Sequence, residues 1–218
     1  MSFSNSQLHF GAAAETGVKS VAEIFRKKMP IRIGVTKVGS SDENAFRLVM
    51  KYYGASYKDI KEWGGRYFHN NYQGIVNLFK DRQIDFFFVN LAYPASAVVD
   101  MAMSRKMRLL PFEPGLTKYL NEEYGFGTGA MATIPKGAYK FLKEDVVTSG
   151  MGSVIMVTDE FPEKDAYRII KILSENTDRL VQIHKSMAVF DPRVGWKDTG
   201  APLHPGAERY YREMGYLK

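Results

Sequence analysis

The chain is predicted to be an α/β protein. Three observations carry this. Strand-length apolar runs alternate with segments of helical period from Gly17 to about Val146. One run, Ile84–Asn90 (IDFFFVN), is almost continuously apolar, as in a parallel sheet covered on both faces. After Val146 the alternation gives way to helices, which marks a second packing unit.

The elements follow in order. Gly17–Lys28 (GVKSVAEIFRKK) reads as a short helix, with Ser20 as N-cap and Glu23 completing a capping box. Ile31–Val38 reads as a strand. The helix after Ser40 places Ala45, Leu48/Val49 and Tyr52 on one face and stops at Gly54. Tyr57–Phe68 reads as a turn and then a strand. Asn70–Lys80 is helical, with Ile75, Val76 and Phe79 inward, and Asn70 as its cap. Ile84–Asn90 is the clearest strand, Tyr93-Pro94 turns the chain, and Ala95–Arg105 is helical. Met107–Phe112 is a strand, and Leu116–Glu123 a helix that runs into the loop GFGTGA. Ser153–Val157 is one more strand. Helices then cover Pro162–Ser174 and Thr177–His184, and an irregular stretch, Ala188–Pro205, leads to a last helix, Gly206–Met214. Strands joined through helices predict right-handed crossovers.

Bulk composition narrows the function classes. With 218 residues, 45% of them hydrophobic, the chain can bury one large core or two small ones. No apolar run approaches the roughly 20 residues of a membrane span. MSFSNSQLHFGAAAETG lacks the basic start and apolar stretch of a signal peptide. There are no cysteines, which excludes disulfides, thiol catalysis and zinc–thiolate sites. The net charge of +6 suits an acidic partner, but the basic residues are dispersed, which argues against nucleic-acid binding.

Catalytic signatures are missing. There is no G-x-S-x-G elbow and no H-E-x-x-H. His9, His69, His184 and His204 are far apart in sequence and form no local metal pair. His184 and His204 sit at helix ends, where structural roles are expected. GFGTG follows a helix and not a strand, so it fails the context of a dinucleotide fingerprint. No metal and no cofactor is expected.

The informative constellation is at the carboxyl ends of three strands, where open α/β sheets place ligands. These ends are Val38–Glu43, Phe68–Gln73 and Asn90–Ser96. The candidate ligand-binding residues are Gly39, Ser40, Ser41, Asp42 and Glu43, then His69 and Asn70, then Asn90, Tyr93 and Pro94. Free amides at a helix start hold anions, and Asn orients a polar ligand against an aromatic wall. A second explanation stands beside this one: Ser40 and Glu43 spell a capping box, so the loop can satisfy itself. Asp42 and Glu43 already stabilise the helix dipole and repel a dianion. A ligand with one carboxylate and a cationic or neutral group, such as an amino acid, fits better than a phosphate.

These residues lie in segments that resemble a known family. Gly17–Glu43 resembles the G-I-K-S-V-A-D-L…V-G-x-x-G-S-G-T-E region of TAXI-type solute receptors, the extracytoplasmic binding proteins of TRAP transporters. Gln83–Pro94 (QIDFFFVNLAYP) is similar to that family's G-Q-I-D-A-F-F…G-x-P, and Ala132–Tyr139 (ATIPKGAY) to its A-T-I-P-A-G-T-Y. Pro202–Gly215 (PLHPGAERYYREMG) resembles its P-L-H-P-G-A-x-R-Y-Y-R-E-x-G.

The resemblance implies a type II periplasmic-binding-protein-like fold and no catalysis. It implies capture of a small carboxylate, such as glutamate, glutamine or a dicarboxylate, for delivery to TRAP membrane subunits outside the cytoplasm. It places a hinge-proximal helix in 1–30, the ligand-binding lobe in 31–146, and a crossover strand with C-terminal helices of the other lobe in 147–218. Three departures stand out. Ser41 and Asp42 replace Gly-Thr; Asn90–Tyr93 is bulkier than the usual small residues before Pro94; and the leader and the glycine-rich G-T-G-G-T-G-G-x-Y-Y segment of the first lobe are not in this chain. Helices over Pro162–His184 are therefore expected to expose Tyr167, Ile169, Ile170, Ile172, Leu173, Leu180 and Ile183, or to pack them against the remaining lobe or a second copy. Two other readings are a truncated relative that folds without tight binding, and an α/β enzyme using His69 and Glu43 as acid–base groups.

Overall fold

The structure, a computed structural model, describes every residue except Asp198. The expectation of an irregular stretch over Ala188–Pro205 includes this residue and there lies outside the described residues. The chain divides into two units, Ser6–Met151 and Met1–Asn5 with Gly152–Lys218. We call them the sheet unit and the C-terminal unit.

The sheet unit is mixed α/β, as predicted. Its sheet has six strands in the order β3-β2-β4-β1-β5, with β8 on β1. Here β1 is Ser2–Ala13, β2 Arg32–Val35, β3 Arg66–His69, β4 Phe86–Leu91, β5 Met107–Leu109 and β8 Gly150–Val154. β1 and β8 each continue into the C-terminal unit. Thr133–Ile134 (β6) and Val146–Val147 (β7) form a separate antiparallel pair.

Strands β3, β2 and β4 are parallel, with Val35 opposite both His69 and Phe88. β4 is less uniform than its apolar run implies. On its other side it pairs antiparallel with β1, Phe10 facing Phe88, and β1 pairs antiparallel with β5. β1, Ser2–Ala13, is a strand that local sequence pattern does not predict. Its polar start hides a buried half, Gln7–Ala13.

Helices cover both faces. On one face lie α1 (Val21–Arg26), α2 (Ser41–Tyr52), α3 (Tyr57–Glu62) and α6 (Pro114–Tyr124). They bury Ile24, Phe46, Val49, Ile60 and Leu116 around Phe10, Phe86 and Phe88. On the other face α4 (Tyr72–Lys80) and α5 (Ser96–Ser104) bury Ile75, Phe79, Val98 and Met101 around Phe87 and Val89. The alternation Phe86, Phe87, Phe88 thus feeds two cores, which is why all three positions are apolar.

Local chemistry explains the helix ends. Ser20 caps α1 by accepting from the Glu23 amide at 3.3 Å. Glu23 returns to the Lys19 amide at 2.9 Å, one residue before the box position. Ser56 and Asp59 form a capping box, so the turn expected after Tyr57 is helix α3. The cap of α4 is Asn71 and not Asn70: the Asn71 oxygen accepts from the Gly74 amide at 2.8 Å.

In the C-terminal unit, α7 (Glu163–Glu175), α8 (Thr177–Ile183) and α9 (Pro205–Glu213) pack around Ile170, Leu180, Phe190, Tyr210 and Tyr211. Of the seven side chains expected on an uncovered face, Ile170 and Leu180 are buried, and Tyr167, Ile169 and Leu173 are half-buried. Ile172 and Ile183 are exposed, Ile183 at 75%. His184 ends α8, and the His204 Nδ1 caps α9 by accepting from the Gly206 amide at 3.2 Å.

Gly206 lets α9 meet α7 backbone to backbone. A Cβ there would lie 2.1 Å from the Glu163 carbonyl oxygen and 2.9 Å from the Tyr167 nitrogen. Neither atom can rotate aside, so the helices must separate. Gly206→Ala is therefore expected to destabilise the protein by about 2 kcal/mol. A thermal midpoint equal to that of the unmutated chain would show that the contact is looser than this.

Candidate functional site

The parallel strands bring the predicted loops to one edge. β2 and β3 end level with each other, and the Val35 carbonyl accepts the Asn70 amide at 3.1 Å. β4 runs on past them to Asn90 and Leu91. The first turn of α2, the start of α4 and the end of β4 therefore share the carboxyl edge of the sheet.

A chain of bonds knits the β2–α2 loop. The His69 Nδ1 lies 2.8 Å from the Thr36 carbonyl oxygen. The Thr36 and Ser40 hydroxyls are 2.6 Å apart. Ser40 accepts from the Glu43 amide at 3.2 Å, and the Glu43 carboxylate accepts from the Gly39 amide at 3.2 Å. Gly39 has φ +85°, a conformation that favours glycine and turns its amide back toward the helix start. The loop thus caps itself, as the second explanation of its sequence held.

The surprise is burial. Asp42 and Glu43 are each only 2% exposed, although they occupy the first turn of a surface helix. Asp42 accepts from the Asn90 amide at 2.7 Å and from the Tyr72 hydroxyl at 3.0 Å. The Ser41 hydroxyl adds a bond at 3.2 Å. One carboxylate therefore ties α2, α4 and β4 together. Burial, and then the Asp42 charge, push the Tyr72 hydroxyl well above its usual pKa.

Glu43 is less well satisfied. Its second oxygen, Oε1, has no hydrogen-bond partner, and Arg47 approaches it only to 3.9 Å. The Tyr57 hydroxyl is also unpartnered, and burial followed by the Glu43 charge raises its pKa strongly. The two groups influence each other electrostatically without completing a bond of proper distance and angle.

Asn90 presents a mixed picture. Its backbone amide belongs to Asp42, its side-chain nitrogen donates to the Met151 sulfur at 3.1 Å, and its side-chain oxygen is buried and unpartnered. Tyr93 and Pro94, joined by a cis peptide bond, are half-buried in the next loop. That loop is anchored through Ala95, whose amide donates to the Tyr139 hydroxyl at 3.1 Å.

Of the ten predicted residues, Gly39–Glu43, His69, Asn70 and Asn90 are brought together by these bonds. Tyr93 and Pro94 are not bonded to them. His69 and Glu43 do not bond each other, so the pair that acid–base chemistry needs is not made. Residues outside the prediction also matter. Thr36 bridges His69 and Ser40, and nothing local marks it. Tyr72 stands two residues after Asn70, and its ring-plus-hydroxyl character was a usable signal.

Two cavities lie away from these residues. One of about 200 Å³, in the C-terminal unit, is lined by Ile155, Ile169, Ile170 and Leu203. A hollow of about 490 Å³ lies beside Asn44, Arg47 and Tyr57. None of the ten residues lines either one. In open α/β sheets, ligands sit beyond the carboxyl ends of the strands, which is where the candidate residues lie. Among the described residues, no group of three or more His, Asp or Glu could hold a metal ion, and no helix is long and apolar enough to cross a membrane.

Comparison with known proteins adds a family. A model of the NMT1-like family matches residues 1–215. Among solved structures, the chain is similar to an ABC transporter from Clostridium perfringens ATCC 13124, at 8% identity and a TM-score of 0.40, over 51% of this chain and 39% of that one. It is also similar to a glycine betaine/carnitine/choline ABC transporter, at 11% identity and a TM-score of 0.37, over 100% of this chain and 63% of that one. The chain therefore spans less than two thirds of either structure's length.

Proposed function

The chain belongs to the NMT1-like family, and from that premise we propose that it is the solute-binding receptor of a membrane importer, working outside the cytoplasm. The observation that carries this reading is the convergence of the β2, β3 and β4 ends, with Asp42 holding the Asn90 amide across the edge at 2.7 Å. Polar loops held rigidly at strand ends suit capture of a small polar solute.

The finer reading is a TRAP-type importer of the TAXI class, with a small carboxylate as solute. In this reading, the charge of the edge supports one kind of solute over another. Its two buried carboxylates, Asp42 and Glu43, make it acceptor-rich. A solute would turn an ammonium or amide end toward it, as glutamate or glutamine can, and 2-oxoglutarate should bind more weakly. Calorimetric titration with these three compounds tests the reading. Heat with glutamate or glutamine supports it; no heat and no thermal shift with any of them would sink it.

One observation favours a second reading, a relative that folds without tight binding. Glu43 and Ser40 already occupy the Gly39 and Glu43 amides. In that case Ile172 and Ile183, both exposed, are the side chains through which a second copy would pack. Light scattering that shows a monomer at all concentrations would rule out such packing.

A further inference from the structure

We propose that His9 and Tyr139 form a buried bracket that positions the Tyr93–Ala95 loop at the solute edge. The assignment of that edge rests on the receptor reading above; the bracket itself rests on bonding within the sheet unit.

His9 lies on β1 opposite Val89 and is completely buried. An apolar side chain would fill this place at lower cost, because a buried imidazole needs a partner for each nitrogen. Both partners are present. His9 Nδ1 is 2.7 Å from the Gln7 carbonyl oxygen, and Nε2 is 2.8 Å from the Tyr139 hydroxyl.

The protons can be assigned from the acceptors. A carbonyl oxygen only accepts, so Nδ1 carries the hydrogen and donates to Gln7. Nε2 is then an acceptor, and the Tyr139 hydroxyl donates to it. The same hydroxyl accepts from the Ala95 amide at 3.1 Å. All donors therefore point one way: Ala95 to Tyr139 to His9, and His9 on to β1. Such aligned bonds reinforce one another.

The bracket joins segments that nothing local would align. Ala95 follows directly on Pro94 and is the N-cap residue of α5, where its side chain offers no capping atom. Tyr139 comes from the segment after β6, is 3% exposed, and stacks on Phe141 at 5.4 Å. The ring is thus held by packing while its hydroxyl reaches the loop. Tyr93 and Pro94 take their place from an amide one or two residues away. A histidine serving only to fill the core would leave the loop's order independent of the Tyr139 hydroxyl.

Amide hydrogen exchange on the full chain, without ligand, separates these roles. In Tyr139→Phe the Ala95 amide should exchange about tenfold faster, while Phe86–Val89 of β4 keep their protection. Unchanged exchange at Ala95, or equal acceleration along β4, overturns the bracket. Nitrogen NMR of the unmutated protein gives a second test: the proton must sit on Nδ1 of His9, and a proton on Nε2 overturns the assignment. Titrations with glutamate, glutamine and 2-oxoglutarate test the receptor reading separately. If none binds while Ala95 responds as stated, the receptor reading fails and the bracket stands.

Discussion

Asp42→Ala is expected to destabilise the sheet unit by about 2–3 kcal/mol. The Asn90 amide donates to this carboxylate at 2.7 Å, inside the packed edge. Hydrogen bonds to a charged group contribute about 1.5–3 kcal/mol, and a buried donor left without a partner costs about as much. The Tyr72 bond adds less, because Tyr72 is 37% exposed and water can replace its partner. Loss of a negative charge from the first turn of α2 removes about 0.5 kcal/mol more of dipole stabilisation. Asp42→Asn keeps an oxygen for the Asn90 amide and should lose about half as much.

Urea unfolding reads this result directly. Trp63 lies in the sheet unit and Trp196 in the C-terminal unit. A Trp196→Phe background therefore leaves Trp63 as the reporter. A shift within about 0.5 kcal/mol of zero, typical of a surface substitution, would mean that the Asp42 bonds do not hold the edge together.

Acidification should destabilise the protein through His9. Burial pushes its pKa down from 6.5 to about 4, against a smaller opposing effect of the Gln7 carbonyl. The unfolded chain then binds a proton at a higher pH than the folded one, so stability rises with pH through this window. The contribution of neutral His9 is complete above pH 6.5 and is lost progressively as pH falls toward 4. Near pH 4 the folded state also takes up the proton, and the loss levels off at about 3 kcal/mol.

Acidic groups with lowered pKa act in a lower range. Glu15, held down by its own backbone bond and by Arg105, loses its contribution below its ordinary value of 4.5. Of these two groups, only His9 acts across the interval from pH 6.5 to about 4.5. His9→Gln should lower stability at pH 7 and flatten the slope in that interval. An unchanged slope would show that His9 is not the group responsible.

Much of the fold was legible because its signals are local. Ser40 and Glu43 stand three apart at a helix start, and the structure uses both as caps. The triple Phe86–Phe88 announced a strand covered on both faces. The final helix was legible too, although the need for Gly206 shows only in the approach of α7. β1 was not legible: its buried half includes Gln7 and His9, which locally read as solvent-facing. The choice of Asn71 over Asn70 as cap was equally hidden, because adjacent asparagines differ only in backbone geometry.

The amino-acid order by itself determined most of the strands and helices, many of their ends, and which loops follow the parallel strands; β1 and α3 are the exceptions. Propensity, period and capping act within a few residues, so they can be read directly along the chain. Only the tertiary structure decided that Asp42 is a buried tie and not an exposed dipole partner, and that His9 is neutral and held by Tyr139. Their partners lie 48 and 130 residues away in sequence. A side chain's charge and role depend on what burial removes and which donors arrive in its place, and for these two residues the donors come from strands and loops that only folding brings near.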